Sequence, residues 1–298
     1  MSSESRLVLG TAQLGMPYGI ANSTGQPNLN QARDIIKIAW ESGIRQFDTA
    51  QAYGQSESIL GRALQELGLT GQAKIITKPD PSLDHLDRHT LQRAVERSMS
   101  HLKVPALHCL MLHGEALLGL LKKGLKEILL DIVQSGQANY IGVSVYSPGK
   151  ALQAIESDVI DFIQLPTNIL DRRFEKAGVF DLAQGKKKII YVRSVFLQGL
   201  LTLQESNIPA NLQSARPVIS RLEHLAKELG MKRQEMALCY VKLKWRHAQV
   251  VFGAETSEQV RDNAAAWMAD PPGSFLDRVN EAFNSVDERI LNPPSWFQ

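Results

Sequence analysis

Short apolar runs alternate along the chain with longer stretches of helical period, about eight times over. The runs are residues 7–13, 45–49, 74–78, 107–113, 140–145, 161–165, 189–195 and 249–253, each short and bounded as a buried strand would be. Between them lie amphipathic stretches such as 31–41, 56–67, 87–102 and 119–134, most ending near a Gly or Pro. Strand, helix, strand without hairpins predicts parallel pairing through right-handed crossovers. Eight such units predict an α/β protein, a (β/α)8 barrel in one domain over 1–298, with a doubly wound open sheet as the alternative. The segment after the first run, Gly10-Thr11-Ala12-Gln13-Leu14-Gly15, lacks the spacing of a dinucleotide-binding glycine loop, which weakens the open-sheet reading. Two helical patterns, 217–229 and 234–247, separate the last two runs, and a barrel absorbs the extra one as decoration. The tail 292–298 reads as irregular.

Composition narrows the function classes. Apolar residues make up 44% and charged residues 21% of the 298, enough for a sizeable core and unlike a disordered chain. Thirty-three Lys plus Arg against 31 Asp plus Glu leave a formal charge of +2, too little for a nucleic-acid or membrane footprint. Cys109 and Cys239 stand in apolar surroundings of different elements, as buried thiols in a reducing compartment would. Without a hydrophobic leader or an 18-residue apolar run, a soluble cytoplasmic protein is expected.

Barrel function gathers at the C-terminal ends of strands. Asp48 ends the second run, Tyr53 follows in its loop, Lys78 ends the third and His113 the fourth. Each alone reads as structural; four at adjacent strand ends read as a proton-delivery unit. A phenol is a poor acid near neutrality, so an ammonium beside it would stabilise the phenolate and a carboxylate behind would orient the ammonium. Lowering Tyr53 from about 10 to about 7 requires roughly 4 kcal/mol. A neutral His113 would hydrogen-bond a substrate oxygen. Such a set protonates a carbonyl oxygen while another group delivers hydride.

The stretch Phe47-Asp48-Thr49-Ala50-Gln51-Ala52-Tyr53-Gly54-Gln55-Ser56-Glu57, continuing through Leu60-Gly61-Arg62-Ala63-Leu64, resembles the signature of the aldo-keto reductases. Further matches are Gly142-Val143-Ser144, Gln164-Leu165-Pro166, Gln198-Gly199-Leu200-Leu201-Thr202, and Phe252-Gly253-Ala254 through Asn263. The resemblance implies a (β/α)8 barrel and a monomeric carbonyl reductase using NADPH, with NAD as a second possibility. It makes Tyr53 the general acid, tuned by Lys78 and Asp48, with His113 positioning the carbonyl. Ser144 and Gln164 would hold the carboxamide, with Asp48 near the nicotinamide ribose. Gly10 and Thr11 would allow close backbone approach, and Ser194 and Gly199 belong to the same cofactor set. Gly253, Ala254, Thr256, Gln259 and Asn263 would take the adenosine end, where Thr256-x-x-Gln259 also reads as a capping box.

The chain departs from the family pattern at several points. Val145 and Thr167 replace the usual Asn and Tyr, Arg193 stands where many members place an aromatic ring beneath the nicotinamide, and Gly253 and Gln259 stand where cations often grip a 2′-phosphate. Gln13, Tyr18, Asp80 and Arg193 suggest a pocket for polar, sugar-like carbonyls. No metal site is expected: His85 and His89 read as solvated residues of a helix's first turn, and Lys186-Lys187-Lys188 as the close of a helix. Met16 reads equally as pocket mouth or packing. Rival functions are a nicotinamide-binding regulator without turnover and a barrel lyase or isomerase, the second having no use for the 252–263 segment.

Overall fold

The computed structural model describes residues 4–293 and 296; the first three residues and residues 294, 295, 297 and 298 lie outside it, and with them part of the tail expected to be irregular. Eight parallel strands close into a barrel in chain order: β1 (Leu7–Gly10), β2 (Gln46–Asp48), β3 (Lys74–Thr77), β4 (Leu107–Leu112), β5 (Ala138–Ser144), β6 (Phe162–Pro166), β7 (Ile189–Arg193) and β8 (Gln249–Gly253). β1 pairs with both β2 and β8, Val8 lying opposite Gln46 on one side and Val251 on the other. Closure leaves no sheet edge, so the open-sheet alternative is excluded.

Two apolar layers hold the barrel. Val8, Ile76, Cys109, Met111, Phe162, Tyr191 and Val251 fill its interior, and a larger cluster lies between the strands and the surrounding helices. The helix Leu29–Glu41 shows how the sequence makes this second layer. Asn28 caps it, its side chain accepting from Gln31 N at 3.0 Å while Gln31 Oε1 accepts from Asn28 N at 2.8 Å. Ala32, Ile35, Ile36 and Ala39 then present one buried stripe at helical spacing. Between β7 and β8 both extra helices are present, Arg216–Leu229 and Arg233–Lys244.

Three local expectations change. The run 7–13 ends as strand at Gly10, because Thr11 turns its N–H and hydroxyl to Asp48 O and Ala12–Gly15 coils into one helical turn. The stretch 119–134 divides at Gly124 (φ 113°) into a 3-10 segment, Glu115–Lys123, and the helix Leu125–Gln134. His85 is buried rather than solvated, its Nδ1 2.8 Å from Leu83 O, whereas His89 is exposed on the first turn of the helix Arg88–Leu102. Both cysteines are free and buried. Among the described residues no helix is long and apolar enough to cross a membrane.

Candidate active site

The C-terminal ends of β2, β3 and β4 bring the four expected residues together. Asp48 closes β2, and Lys78 and His113 each stand one residue past their strands. Lys78 is fully buried and donates to Asp48 Oδ1 at 2.6 Å and to Thr49 O at 3.0 Å. Gln164 Nε2, from β6, donates to the same Asp48 oxygen at 3.0 Å. The Lys78 ammonium lies 5.4 Å from the centre of the Tyr53 ring. His113 meets that ring edge-on, centroids 5.7 Å apart and planes at 84°.

The Tyr53 turn is fixed from beneath by small polar groups. Ser56 Oγ donates within 2.7–2.8 Å of Thr11 O and Oγ1 and lies 3.0 Å from Thr49 Oγ1. A Cβ at Gly15 would collide with Tyr53 O and Ser56 N, so this glycine lets the β1 loop press against the turn. Gln51 ties the turn sideways, donating to Ala94 O and Ser98 Oγ at 2.7 Å and accepting from Asp80 N at 3.1 Å.

Electrostatics correct one expectation. Tyr53 is not lowered toward neutrality: burial, then the Asp48 charge, push its phenol above the ordinary range, with Arg193 acting weakly in the opposite sense. The ammonium expected to lower it is engaged by Asp48 instead. Burial, then Lys78, depress His113 to about 4, so its imidazole is neutral at pH 7 as expected. His113 Nδ1 is buried without a partner among the described residues.

Above this floor a half-open cleft runs between the β1, β7 and β8 loops. Gly10, Thr11, Gln13, Tyr18, Asp48, Tyr53, Gln164, Arg193, Ser194, Gly199 and Gly253 all line it, as does Phe196, which sequence reading missed. The β1 loop crosses the cleft's rim. Ile20 N donates to Gln198 O at 3.0 Å, Gln198 Nε2 to Tyr18 Oη at 3.3 Å, and Thr24 Oγ1 to Glu255 Oε2 at 3.0 Å.

Other expected residues stand outside the lining. Ser144 and Ala254 are buried beside it. Thr256 caps the helix Ser257–Met268, accepting from Gln259 N at 3.2 Å, but Gln259 Oε1 accepts from Glu255 N, one residue before the cap, so the box is half formed. Asn263 is buried and accepts from Gln234 Nε2 at 2.8 Å. Asp80 holds Ser82, accepting from its N–H at 2.9 Å and its hydroxyl at 2.7 Å. Tyr146, also missed, supports the Arg193 guanidinium at 4.3 Å. No sequence signal marks it, because its loop meets β7 only in the folded barrel.

The residues fit a nicotinamide dinucleotide. Gly10, Gly19, Gly199 and Gly253 line the cleft and leave its backbone open to a ligand, and a Cβ at Gly253 would fill space taken by the Gln13 side chain. Among the described residues no group of three or more His, Cys, Asp or Glu is arranged to hold a metal ion.

Comparison with known proteins agrees with this geometry. L-glyceraldehyde 3-phosphate reductase of Escherichia coli K12 is 26% identical over 292 aligned positions, covering 84% of this chain and 83% of its own. The aldo-keto reductase YhdN of Bacillus subtilis is 25% identical, covering 97% and 89%. The solved holo form of aldo-keto reductase AKR11C1 from Bacillus halodurans superposes with a TM-score of 0.76 at 24% identity, covering 97% of this chain and 96% of that one, and so shares its fold. The description of the Aldo/keto reductase family matches residues 6–282, and with the Asp48, Tyr53, Lys78 and His113 arrangement inside that span, the chain belongs to the aldo/keto reductase family.

Proposed function

We propose that the protein reduces an aldehyde or ketone to an alcohol with a nicotinamide cofactor, Tyr53 acting as general acid. The observation carrying this reading is the buried Lys78–Asp48 pair under Tyr53, with neutral His113 edge-on to the same ring. When bound, the cofactor supplies hydride, two electrons and the hydrogen that forms the new C–H bond at the carbonyl carbon. Tyr53 gives its phenolic proton to the carbonyl oxygen. Its raised affinity for that proton keeps it loaded near neutrality, and an alkoxide developing on the substrate is a still stronger base. The phenolate left behind is stabilised by the Arg193 charge until water reprotonates it. His113 donates one hydrogen bond to the carbonyl oxygen and fixes its direction.

Gln164 and Ser144 would hold the carboxamide, and the Gly10, Thr11, Ser194, Gly199 and Gly253 backbone would follow the dinucleotide along the cleft. Ala254, Thr256, Gln259 and Asn263 would meet its adenosine end. NADPH is the first candidate by family, with NADH accepted as well. The substrate is a polar, hydroxylated carbonyl: Gln13, Tyr18 and Arg193 line the cleft and need polar partners. The name of the E. coli relative, which acts on a phosphorylated hydroxyaldehyde, supports the same class. The protein works as a monomer in the cytoplasm, where its two buried thiols stay reduced.

Tyr53→Phe tests the mechanism. It is expected to keep the fold and cofactor affinity while losing carbonyl reduction by at least a thousandfold, measured on a panel of polyhydroxylated and aromatic aldehydes. Near-normal turnover by the variant would refute Tyr53 as the acid. Equal or better efficiency on the aromatic series would refute the polar substrate.

A further inference from the structure

Among the described residues that line the cleft, Arg193 is the one cation, and no carboxylate pairs with it. Lys78 is engaged by Asp48 at 2.6 Å, so the pair carries no net charge and leaves a dipole whose Asp48 end lines the cleft. His113 is neutral at pH 7. Arg193 remains. It has no acidic partner among the described residues, donating from Nη2 to Val145 O at 3.2 Å and from Nη1 to Ser194 Oγ at 3.3 Å. Its guanidinium lies on the Tyr146 ring at 4.3 Å, and the Tyr146 and Ser147 N–H groups donate to Glu115 Oε2 at 2.7 and 3.0 Å. Arg193 is thus pinned from the outer side, and it lines the same cleft as Asp48, Tyr53 and Gln164.

A ring that exchanges hydride beside Tyr53 must sit among these residues, within the field of that cation. Its two redox forms differ by one unit of charge, the oxidised pyridinium being positive and the dihydropyridine neutral. A fixed positive charge in a partly desolvated cleft acts on the first and hardly on the second. We propose that Arg193 makes the site selective for the redox state of its cofactor, holding the reduced dinucleotide more tightly than the oxidised one. Resting on the cofactor reading above, it adds a function for Arg193 beyond contact: the residue expels the oxidised product after turnover and raises the reduction potential of the bound couple. An aromatic ring at this position offers stacking and a negative face, which would favour the pyridinium instead.

The test is the ratio of dissociation constants, oxidised over reduced, measured by calorimetry or fluorescence for NADP+ and NADPH and for NAD+ and NADH. Arg193→Met removes the charge and keeps a long side chain; Arg193→Lys keeps the charge. The ratio in the wild-type protein is expected to exceed that of Arg193→Met by at least tenfold, in both pairs, because the nicotinamide is common to them. Arg193→Lys should stay near wild type, and added salt should narrow the difference. If Arg193→Met does not fold, Arg193→Gln provides the neutral arm in the same assay. Equal ratios in the wild-type and neutral variants overturn the inference while leaving the reductase intact. Failure of the wild-type protein to bind any of the four dinucleotides overturns both.

Discussion

Replacing Lys78 by Met removes the cation from beneath Asp48 while keeping most of the side-chain volume. Lys78 is fully buried and Asp48 is 4% exposed, so the change strands a carboxylate in the barrel floor. Of its partners on Oδ1 only the Gln164 amide remains, and one neutral N–H does not replace a full charge. Removing one member of a buried ion pair costs about 3–5 kcal/mol. The lost bond to Thr49 O adds about 1 kcal/mol. At on the order of 2–4 °C per kcal/mol, the melting temperature should fall by roughly 10 °C or more. Asp48→Asn strands the ammonium instead and should cost a similar amount. In the double variant neither charge remains, so its cost should fall short of the two singles' sum by at least about 2 kcal/mol. Guanidinium unfolding of the four proteins, with midpoints and slopes compared, measures this coupling. A double variant that is additive within about 0.5 kcal/mol would refute the view of Lys78 and Asp48 as one buried unit.

With Gly253 and Gln259 at the adenosine end and the Gln259 oxygen taken by Glu255 N, NADPH should be preferred over NADH by less than a thousandfold, roughly 4 kcal/mol; a larger ratio of dissociation constants would contradict this. His108 and His113 are both depressed to about 4, chiefly by burial, so the folded protein takes up their protons later than the unfolded chain does. Their contribution to stability is complete above about pH 6.5 and is lost as pH falls toward 4, at most about 3 kcal/mol for a fully buried ring and less for these half-buried ones. Unfolding midpoints between pH 7 and 4 should show the loss, and His108→Gln should flatten it.

The strands were legible because a parallel barrel buries both faces of each one, so each reads as an unbroken apolar run. Asp48 and Tyr53 were legible because six positions of local sequence carry both. Less visible was everything assembled from distant loops. Tyr18 and Arg193 were read as pocket residues, but their influence on Tyr53, and Tyr146 altogether, arise only across the folded cleft, where the loops after β1 and β5 meet the end of β7. The upward push on Tyr53 escaped a reading by neighbours, because it depends on how tightly Lys78 closes on Asp48 and how much water the floor excludes. Asp80 appeared as a pocket residue by its place after β3, yet Ser82 two positions on offers a local turn that satisfies its carboxylate. Likewise the Thr256-x-x-Gln259 spacing marked the helix start correctly but not the partner of the Gln259 oxygen.

The β1 loop joins Gln198 on one side and Glu255 on the other, which lays a strap across the rim of a half-open trench. A long, jointed molecule lying in a trench can lift out sideways; under a strap it must thread out endwise or wait for the strap to part. The fastenings are a few hydrogen bonds at the rim, each worth about 1 kcal/mol, and the Thr24–Glu255 link lies in water. If the strap must part for exchange, residence time inside would be set by the rate of opening as well as by the grip of the walls. Exchange would then saturate with rising ligand concentration, since arrival no longer limits it once molecules queue at a door with its own rhythm.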